Sequence, residues 1–578
     1  MVFTVKFHLK NSLSYCICLN LTLLAHDAVA NTSDVESGAA REAIRLQQIQ
    51  EEQRKVLEAK AISPVKDSTK LNVETPKIEQ KESNVCFDVE EVKINFTTLI
   101  DADDVLQLKH KYENKCIDSN LISTLMSELT FLYIKKGYVA ARVYLPAQDI
   151  KNSKKLILNV DEGKLSKITK TKNAQKTISI KTAAPFLVGK PLNLKDLEQA
   201  LDQYNRLQSN NVTMQIEPGE KNGESIVVFD NKPTKRINGY FSFDNKGQDS
   251  TGRQQASLGL GVDNIFGLND LLSLSYSRSL PFEQSRKDSA AYSAFYVVPL
   301  GYHTFSASAS RSNYDTTVIT PFQALHSMGK TESYSLKMDS LLYRGDVTQI
   351  RSSFGLTTKD NKAYLEDVLL GVGSRKLTVA DLGVSFSTQK AMNFFNGYLT
   401  YQKGLKLLNS LEDENNLDKE NPKAQFDKFL YGITYFKPFE LLNQKLTFTS
   451  SFNGQESLDV LYGSEQYSIG SLYTVRGFNQ KTISGDEGYS LKNDLALNKA
   501  YELGNGTVFA KYYLGADYGR VKNKYGSELV GELSSASLGA TFNFHNVSIE
   551  LIATQPIYQP DFLEQKEADF FFSTTFTF

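Results

Sequence analysis

From about Arg236 onward the chain alternates apolar and polar positions with a period of two. The stretch "LLSLSYSRS" sets Leu272, Leu274 and Tyr276 against Ser273, Ser275 and Ser277, and "HTFSASAS" sets Phe305, Ala307 and Ala309 against serines. "KLTFTSSF" repeats this through Leu446, Phe448 and Phe452, and "SLGATFNF" through Leu538, Ala540, Phe542 and Phe544. Such alternation predicts strands with one face for lipid and one for water. A soluble β-sandwich can alternate too, but Ser and Thr facing in with Leu and Phe facing out is what a membrane barrel requires. The final residues place Phe570, Phe572, Phe576 and Phe578 on one face of a last strand. Roughly 340 residues, at about 40 per hairpin, predict about 16 antiparallel strands around a lumen too wide for side chains alone to fill.

Upstream the period lengthens. "LISTLMSELTFLYIKKGY" places Leu121, Leu125, Leu129 and Leu132 on one helical face with Gly137 as a stop, followed by the extended pieces "YVAARVYLP" and "KKLILNVDEG". The same plan returns with the helix "LNLKDLEQALDQYNRL", where Leu197, Leu201, Tyr204 and Leu207 recur, and then "NVTMQIEPG" and "ESIVVFD". Two α+β modules in tandem, 86–164 and 165–235, are expected. Residues 31–59 are rich in Ala, Glu, Gln, Arg and Leu and favour a helix, whose apolar stripe of Ala39, Ala43, Leu46, Ile49 and Val56 is thin and broken by Gln53. Residues 60–85, with Pro64 and Pro76, predict an extended linker.

Residues 1–30 carry Lys6 and Lys10, an apolar run from Leu13 to Leu24, and Ala28-Val29-Ala30. This predicts a secretory signal cleaved after Ala30. A lipoprotein signal at Cys16 or Cys18 is the alternative, opposed by the bulky Tyr15 and Ile17. Beyond the leader no stretch of about 18 apolar residues occurs, so any membrane span must be made of strands.

With 41% hydrophobic and 23% charged residues the composition is that of a folded protein and leaves the class to pattern. A net charge of -1 supplies no bulk attraction to nucleic acid. Tryptophan is absent, and 29 Tyr with 34 Phe can supply interfacial girdles. Past the leader only Cys86 and Cys116 remain. In an oxidising compartment they predict a disulfide, with two free buried thiols as the alternative. Tetrahedral zinc needs about four ligands, and His110 would make only a third. Without H-E-x-x-H, G-x-S-x-G or a P-loop (Ala324 replaces the leading glycine before Gly329-Lys330-Thr331), no catalytic residue, metal or cofactor is predicted.

One charge stands out. "SLYTVRGFNQ" sets Arg476 between Val475 and Gly477-Phe478 among membrane-type strands. In "VFAKYYLGADYGRV" the even positions Val508, Ala510, Tyr512, Leu514, Ala516 and Tyr518 suit lipid, so Lys511, Gly515, Asp517 and Gly519 face the lumen. The two glycines open room beside Asp517, and Arg476 is the candidate cation to fill it. The alternative leaves Arg476 on a solvated loop and Asp517 lining a wet pore, where an ion pair is worth only ~0–1 kcal/mol.

Together "VRGF", "ISGDEGYSLKNDL" and "GADYG" resemble the signature of the translocators of two-partner secretion, the TpsB family, relatives of BamA-type assembly proteins. "CFDVEEVKI", "LYIKKGYVAARVYLPAQDI", "LNVDEGKL" and "LEQALDQYNRLQSN" resemble that family's paired periplasmic POTRA domains. "DNKGQDSTGRQQASLGLGVDNIFGLND" resembles its first barrel hairpin, and residues 31–59 its removable plug helix. The resemblance implies a 16-stranded outer-membrane barrel over 236–578, whose loop around 465–485 folds into the pore. Val475, Arg476, Gly477 and Phe478 would form the gating tip, with Arg476 paired to Asp517 on the wall between Gly515 and Gly519. Glu487 departs from the pattern, standing where a basic or polar residue is expected. The terminal Phe572, Phe576 and Phe578 resemble the signal that barrel assembly machinery reads.

The implied function is transport. POTRA domains in the periplasm would capture an unfolded TpsA-type exoprotein (a haemolysin, adhesin or contact-dependent toxin), which then threads through the barrel. The other implied partners are outer-membrane lipid, lipopolysaccharide and the assembly machinery, with no cofactor and no nucleic acid. The alternative is a BamA/TamA-like barrel assembly factor.

Overall fold

In the computed structural model, residues 85–578 are described apart from 283–285, 320–322, 372, 505, 526–530 and 564–566, together with Glu51 and Arg54. The expected signal, linker 60–84 and all but those two residues of the helix 31–59 lie outside the described residues.

Among the described residues, sixteen antiparallel strands close into a barrel between Ile237 and Thr577. The first strand, Ile237–Asp244, pairs on one side with Gln255–Asp263 and on the other with the last, Asp569–Thr577, where Phe576 lies opposite Phe241. Closure leaves no unpaired edge, the condition for a strand structure in lipid. Outward positions such as Leu274, Phe305, Leu382, Leu399, Leu514 and Leu538 are exposed apolar groups. An outer-face aromatic ladder crosses four neighbouring strands through Tyr431, Phe452, Tyr489 and Tyr518, with centroids 5.9, 5.8 and 6.1 Å apart. Phe570, Phe572 and Phe576 share the outward face, whereas Phe571 is buried. Phe578 lies just past the strand, its backbone N–H donating to Gly239 O at 2.9 Å.

The first α+β module has a sheet ordered Glu91–Asn95, Lys155–Asp161, Arg142–Tyr144. Its main helix, Ser119–Lys135, is capped by Asp118, which accepts from Leu121 N at 2.8 Å, and ends before Gly137 at φ +97°. Leu125, Leu129 and Tyr133 form its buried stripe. The expected stripe is shifted: Leu121, in the first turn, is 39% exposed, and Tyr133 takes the core position one residue beyond Leu132. The helix Ala102–Tyr112 and strand Lys115–Asp118 are additions to the strand-helix-strand-strand pattern. In that helix Leu108 and Tyr112 alone are buried, so its Asp- and Lys-rich sequence carries little periodic signal. Cys86 and Cys116 form a disulfide that staples strand Cys86–Val89 to Lys115–Asp118.

The second module orders its strands Lys164–Lys170, Glu224–Asn231, Val212–Pro218. Helix Leu194–Asn205 buries Leu197, Leu201 and Tyr204 against them. Its polar face is buried too, against the barrel. Gln203 Nε2 donates to Gly301 O at 2.9 Å, and Arg344 Nη1 donates to Asp202 Oδ2 at 2.6 Å. A short helix, Ile180–Ala183, meets the same rim, with Gly301 N donating to Thr182 O at 2.7 Å and Thr182 Oγ1 to Leu268 O at 2.8 Å. A helix buried on both faces fixes this module to the barrel.

Candidate functional site: a loop folded onto the inner wall

The loop between strands Gln444–Ser457 and Glu487–Leu503 turns back on itself. Tyr467–Ile469 pairs with Ile483–Gly485, so the tip between them projects as a hairpin. Ile469, Val475, Phe478 and Ile483 pack with Val521 and Leu533 of the neighbouring wall strands. That cluster gives the loop an apolar reason to leave water. Gly477 sits at φ +92°, a left-handed turn that suits glycine and aims its neighbours at the wall.

Arg476 is 2% exposed. Its Nε donates to Asp517 Oδ2 at 2.7 Å and its Nη2 to Asp517 Oδ1 at 2.6 Å, while its backbone N–H donates to Asp517 Oδ2 at 3.1 Å. A second carboxylate joins them, since Nη2 also donates to Asp494 Oδ1 at 2.7 Å. The guanidinium lies 5.6 Å from the Tyr513 ring centroid. A paired and fully hydrogen-bonded buried cation is tolerated, whereas removing one partner of such a pair costs about 3–5 kcal/mol. The glycines are the space it occupies. A Cβ at Gly515 would come within 2.8 Å of Arg476 Cζ, and one at Gly519 within 2.8 Å of Val475 Cγ2.

Around this centre stand residues that sequence reasoning missed. Asp494 faces Gly515 across the strand pair. Its signal was available in "SLKNDL", where Leu491 and Leu495 point out and so send Lys492 and Asp494 in. Lys492 Nζ donates to Leu472 O of the loop at 2.9 Å. Glu465, 3% exposed at the loop's base, is gripped by Lys359 at 2.9 Å and Lys428 at 3.1 Å from strands Thr348–Leu365 and Asp427–Leu441. Nothing local marks these three, because the two lysines come from strands far from Glu465 in the chain. Lys359 also pairs with Glu51 at 2.5 Å, and Arg54 Nη1 donates to Ser335 Oγ at 2.9 Å. Both described residues of the N-terminal segment therefore touch inward positions of the wall.

Two further sets hold the loop's ends. Asp486 accepts from Leu461 N and Lys524 N, each at 2.9 Å. Glu487, the departure from the family pattern, is buried and paired to Lys522 at 2.5 Å and Lys524 at 2.9 Å. Its cations come from the end of the facing strand Gly506–Lys522, with Lys522 directly opposite and Lys524 just past it. Beyond the tip, Asn479 and Gln480 bond the turn of the first hairpin. Asn479 Nδ2 donates to Lys246 O at 3.1 Å and Gln480 Nε2 to Gly247 O at 3.3 Å. In return Gln248 Nε2 donates to Asn479 O, and Asp249 N to Gln480 Oε1 at 3.0 Å.

A closed barrel with two modules before it is matched in known proteins. Residues 223–542 fit the family described as Haemolysin secretion/activation protein ShlB/FhaC/HecB. The chain belongs to this family. Residues 87–163 match its ShlB-type POTRA domain and 164–218 a further POTRA domain. "Outer membrane transporter CdiB" of Dickeya dadantii is 32% identical over 83% of this chain and 84% of its own length. "Hemolysin transporter protein ShlB" of Serratia marcescens is 33% identical over 81% of this chain and 82% of its own. Among solved structures, CdiB from Escherichia coli superposes with a TM-score of 0.83 at 27% identity, covering 92% of this chain and 98% of that one. CdiB from Acinetobacter baumannii shares the fold, with a TM-score of 0.72 at 22% identity over 93% and 99% of the two chains.

Proposed function

We propose that this chain spans the outer membrane, with its two POTRA modules in the periplasm, and passes an unfolded exoprotein through its barrel to the cell surface. Relatives named as an outer membrane transporter and a hemolysin transporter support the reading, the second pointing to an exoprotein of the haemolysin class. The observation that carries it is the Arg476 centre. A loop pinned to the inner wall by one cation and two carboxylates narrows the lumen, and releasing that one ion cluster would free it to move aside.

The modules take up the partner along exposed sheet edges and helix grooves, since unpaired strand edges accept extended peptides. The N-terminal segment plugs the lumen at rest through Glu51 and Arg54, and leaves before threading. Val475, Arg476, Gly477 and Phe478 then act as the gate. Folding of the passenger outside prevents its return, so the chain itself performs no chemistry. The outward apolar face meets lipid and lipopolysaccharide, and Phe572, Phe576 and Phe578 present the insertion signal to the assembly machinery.

Arg476→Ala, scored for export of the partner with barrel assembly followed in parallel, tests the reading. Export should fail while the barrel remains heat-modifiable; full export from an assembled mutant would remove the gate. Depleting the chain should lower one surface protein. A fall in many outer-membrane barrels would instead mark an assembly factor.

A further inference from the structure

The second POTRA module carries an apolar projection that the transport reading does not use. In the segment 184–189, between the short helix Ile180–Ala183 and strand Lys164–Lys170's partner loop at Lys190, Phe186 is 81% exposed and Val188 is exposed beside it. Phe186 also holds φ +59°. A left-handed aromatic residue is rare and unfavourable, and one that touches no core has no packing to hold it there. The turn is held by its own backbone, Gly189 N donating to Leu165 O at 2.7 Å and Lys190 N to Leu187 O at 3.2 Å, and displays the ring outward.

Pro185 lies against Gly301, such that a Cβ there would be 3.1 Å from Pro185 Cγ. Thr182 is bonded to both Gly301 and Leu268, and Asn269 Nδ2 donates to Ser179 O at 2.7 Å. The segment therefore rides on two barrel turns, 264–270 and 300–303. Those turns form the lower rim of the lipid face. Phe266 is 70% exposed, and Ile265, Leu268 and Leu300 are exposed with it. The Phe266 ring stands 5.9 Å from that of Tyr296, whose register partner is the outward-facing Leu272. The exposed apolar residues of the two rim turns thus lie next to the POTRA segment that carries Phe186 and Val188, joined to it through Thr182 and Pro185.

We propose that Phe186 and Val188 insert into the periplasmic leaflet of the membrane, making this loop a lipid anchor for the second POTRA module. Aromatic and aliphatic groups at the headgroup boundary gain from burial in acyl chains, and an exposed apolar patch next to a membrane belt is such a site. The occupant is phospholipid. Anchoring adds to the hydrogen bonds at Gly301 and Asn269 and holds helix Leu194–Asn205 at a fixed tilt beneath the pore.

The chain contains no tryptophan, so a single introduced indole reports alone. The full chain bearing Phe186→Trp is reconstituted into phosphatidylcholine vesicles with and without bromine on the acyl chains, after heat-modifiability confirms its fold. Phe131→Trp, on the exposed face of the first module's helix, serves as the reference for a periplasmic site. The indole at 186 should emit at shorter wavelength than the reference, lose most of its emission to brominated tails and resist acrylamide. Val188→Trp should behave in the same way. Quenching at 186 by acrylamide to the extent seen at 131, with no loss to brominated lipid, would overturn the anchor while leaving the transport reading untouched.

Discussion

Arg476 and Asp517 lie 41 residues apart in the chain and are joined by three hydrogen bonds, one of them from the arginine's own backbone N–H at 3.1 Å. The backbone bond fixes the loop itself to the wall, beyond fixing the side chain, and the Gly515 and Gly519 gaps let it approach.

The two carboxylates are not equivalent. Asp517 is fully buried and accepts three bonds, whereas Asp494 accepts one and is partly exposed. Asp517→Asn should weaken the loop's hold by about 3–5 kcal/mol and abolish most export. Asp494→Asn, losing one charge-assisted bond, should cost about 1.5–3 kcal/mol or less. Export per assembled barrel ranks the two, and Arg476→Asp combined with Asp517→Arg should recover part of the activity.

Space can be removed without touching charge. Gly515→Val would put side-chain atoms where the guanidinium lies. The loop should then leave the wall, so that a cysteine placed at Ser471 reacts with maleimide from outside. Unchanged labelling together with normal export would show that the glycines are not needed for docking.

Glu465 shares Lys359 with Glu51, and that linkage gives a conductance test. Lys359→Met should free the N-terminal segment, and single channels in planar bilayers should open more often than those of the parent. Glu465→Gln takes the carboxylate from the buried Lys428 and leaves Lys359 with Glu51 alone. Its thermal transition should fall, by a loss on the order of 3–5 kcal/mol.

The disulfide closes a loop with a sequence separation of 30. Replacing Cys86 and Cys116 by Ser should destabilise the first module by about 3–4 kcal/mol, from the entropy returned to its unfolded chain. Denaturant unfolding followed by proteolysis of the periplasmic part measures it. The barrel transition should stay where it was.

Much of this molecule was written in its period. Alternation by two, sustained over the last three-fifths of the chain, demands a closed strand structure, because each strand has one face for lipid and one for water and open edges are costly in lipid. The helical stripes of the two modules were legible for the same local reason, apart from helix Ala102–Tyr112, whose thin apolar content hid it. The parity of Asp517, Gly515 and Gly519 along one strand could also be read directly.

What only the tertiary structure decided was company. Asp494 joins Arg476 because two strands run in a register that sets it opposite Gly515. Lys359 and Lys428 reach Glu465 because barrel closure brings residues 106 and 37 positions away onto one loop. The short helix Ile180–Ala183 meets the barrel's rim because Gly301 N donates to Thr182 O across 119 positions of sequence. Period is a property of neighbours along the chain and needs no partner to be seen. An ion cluster or a rim is made of groups whose separation in sequence carries no information about their distance, and folding alone sets it.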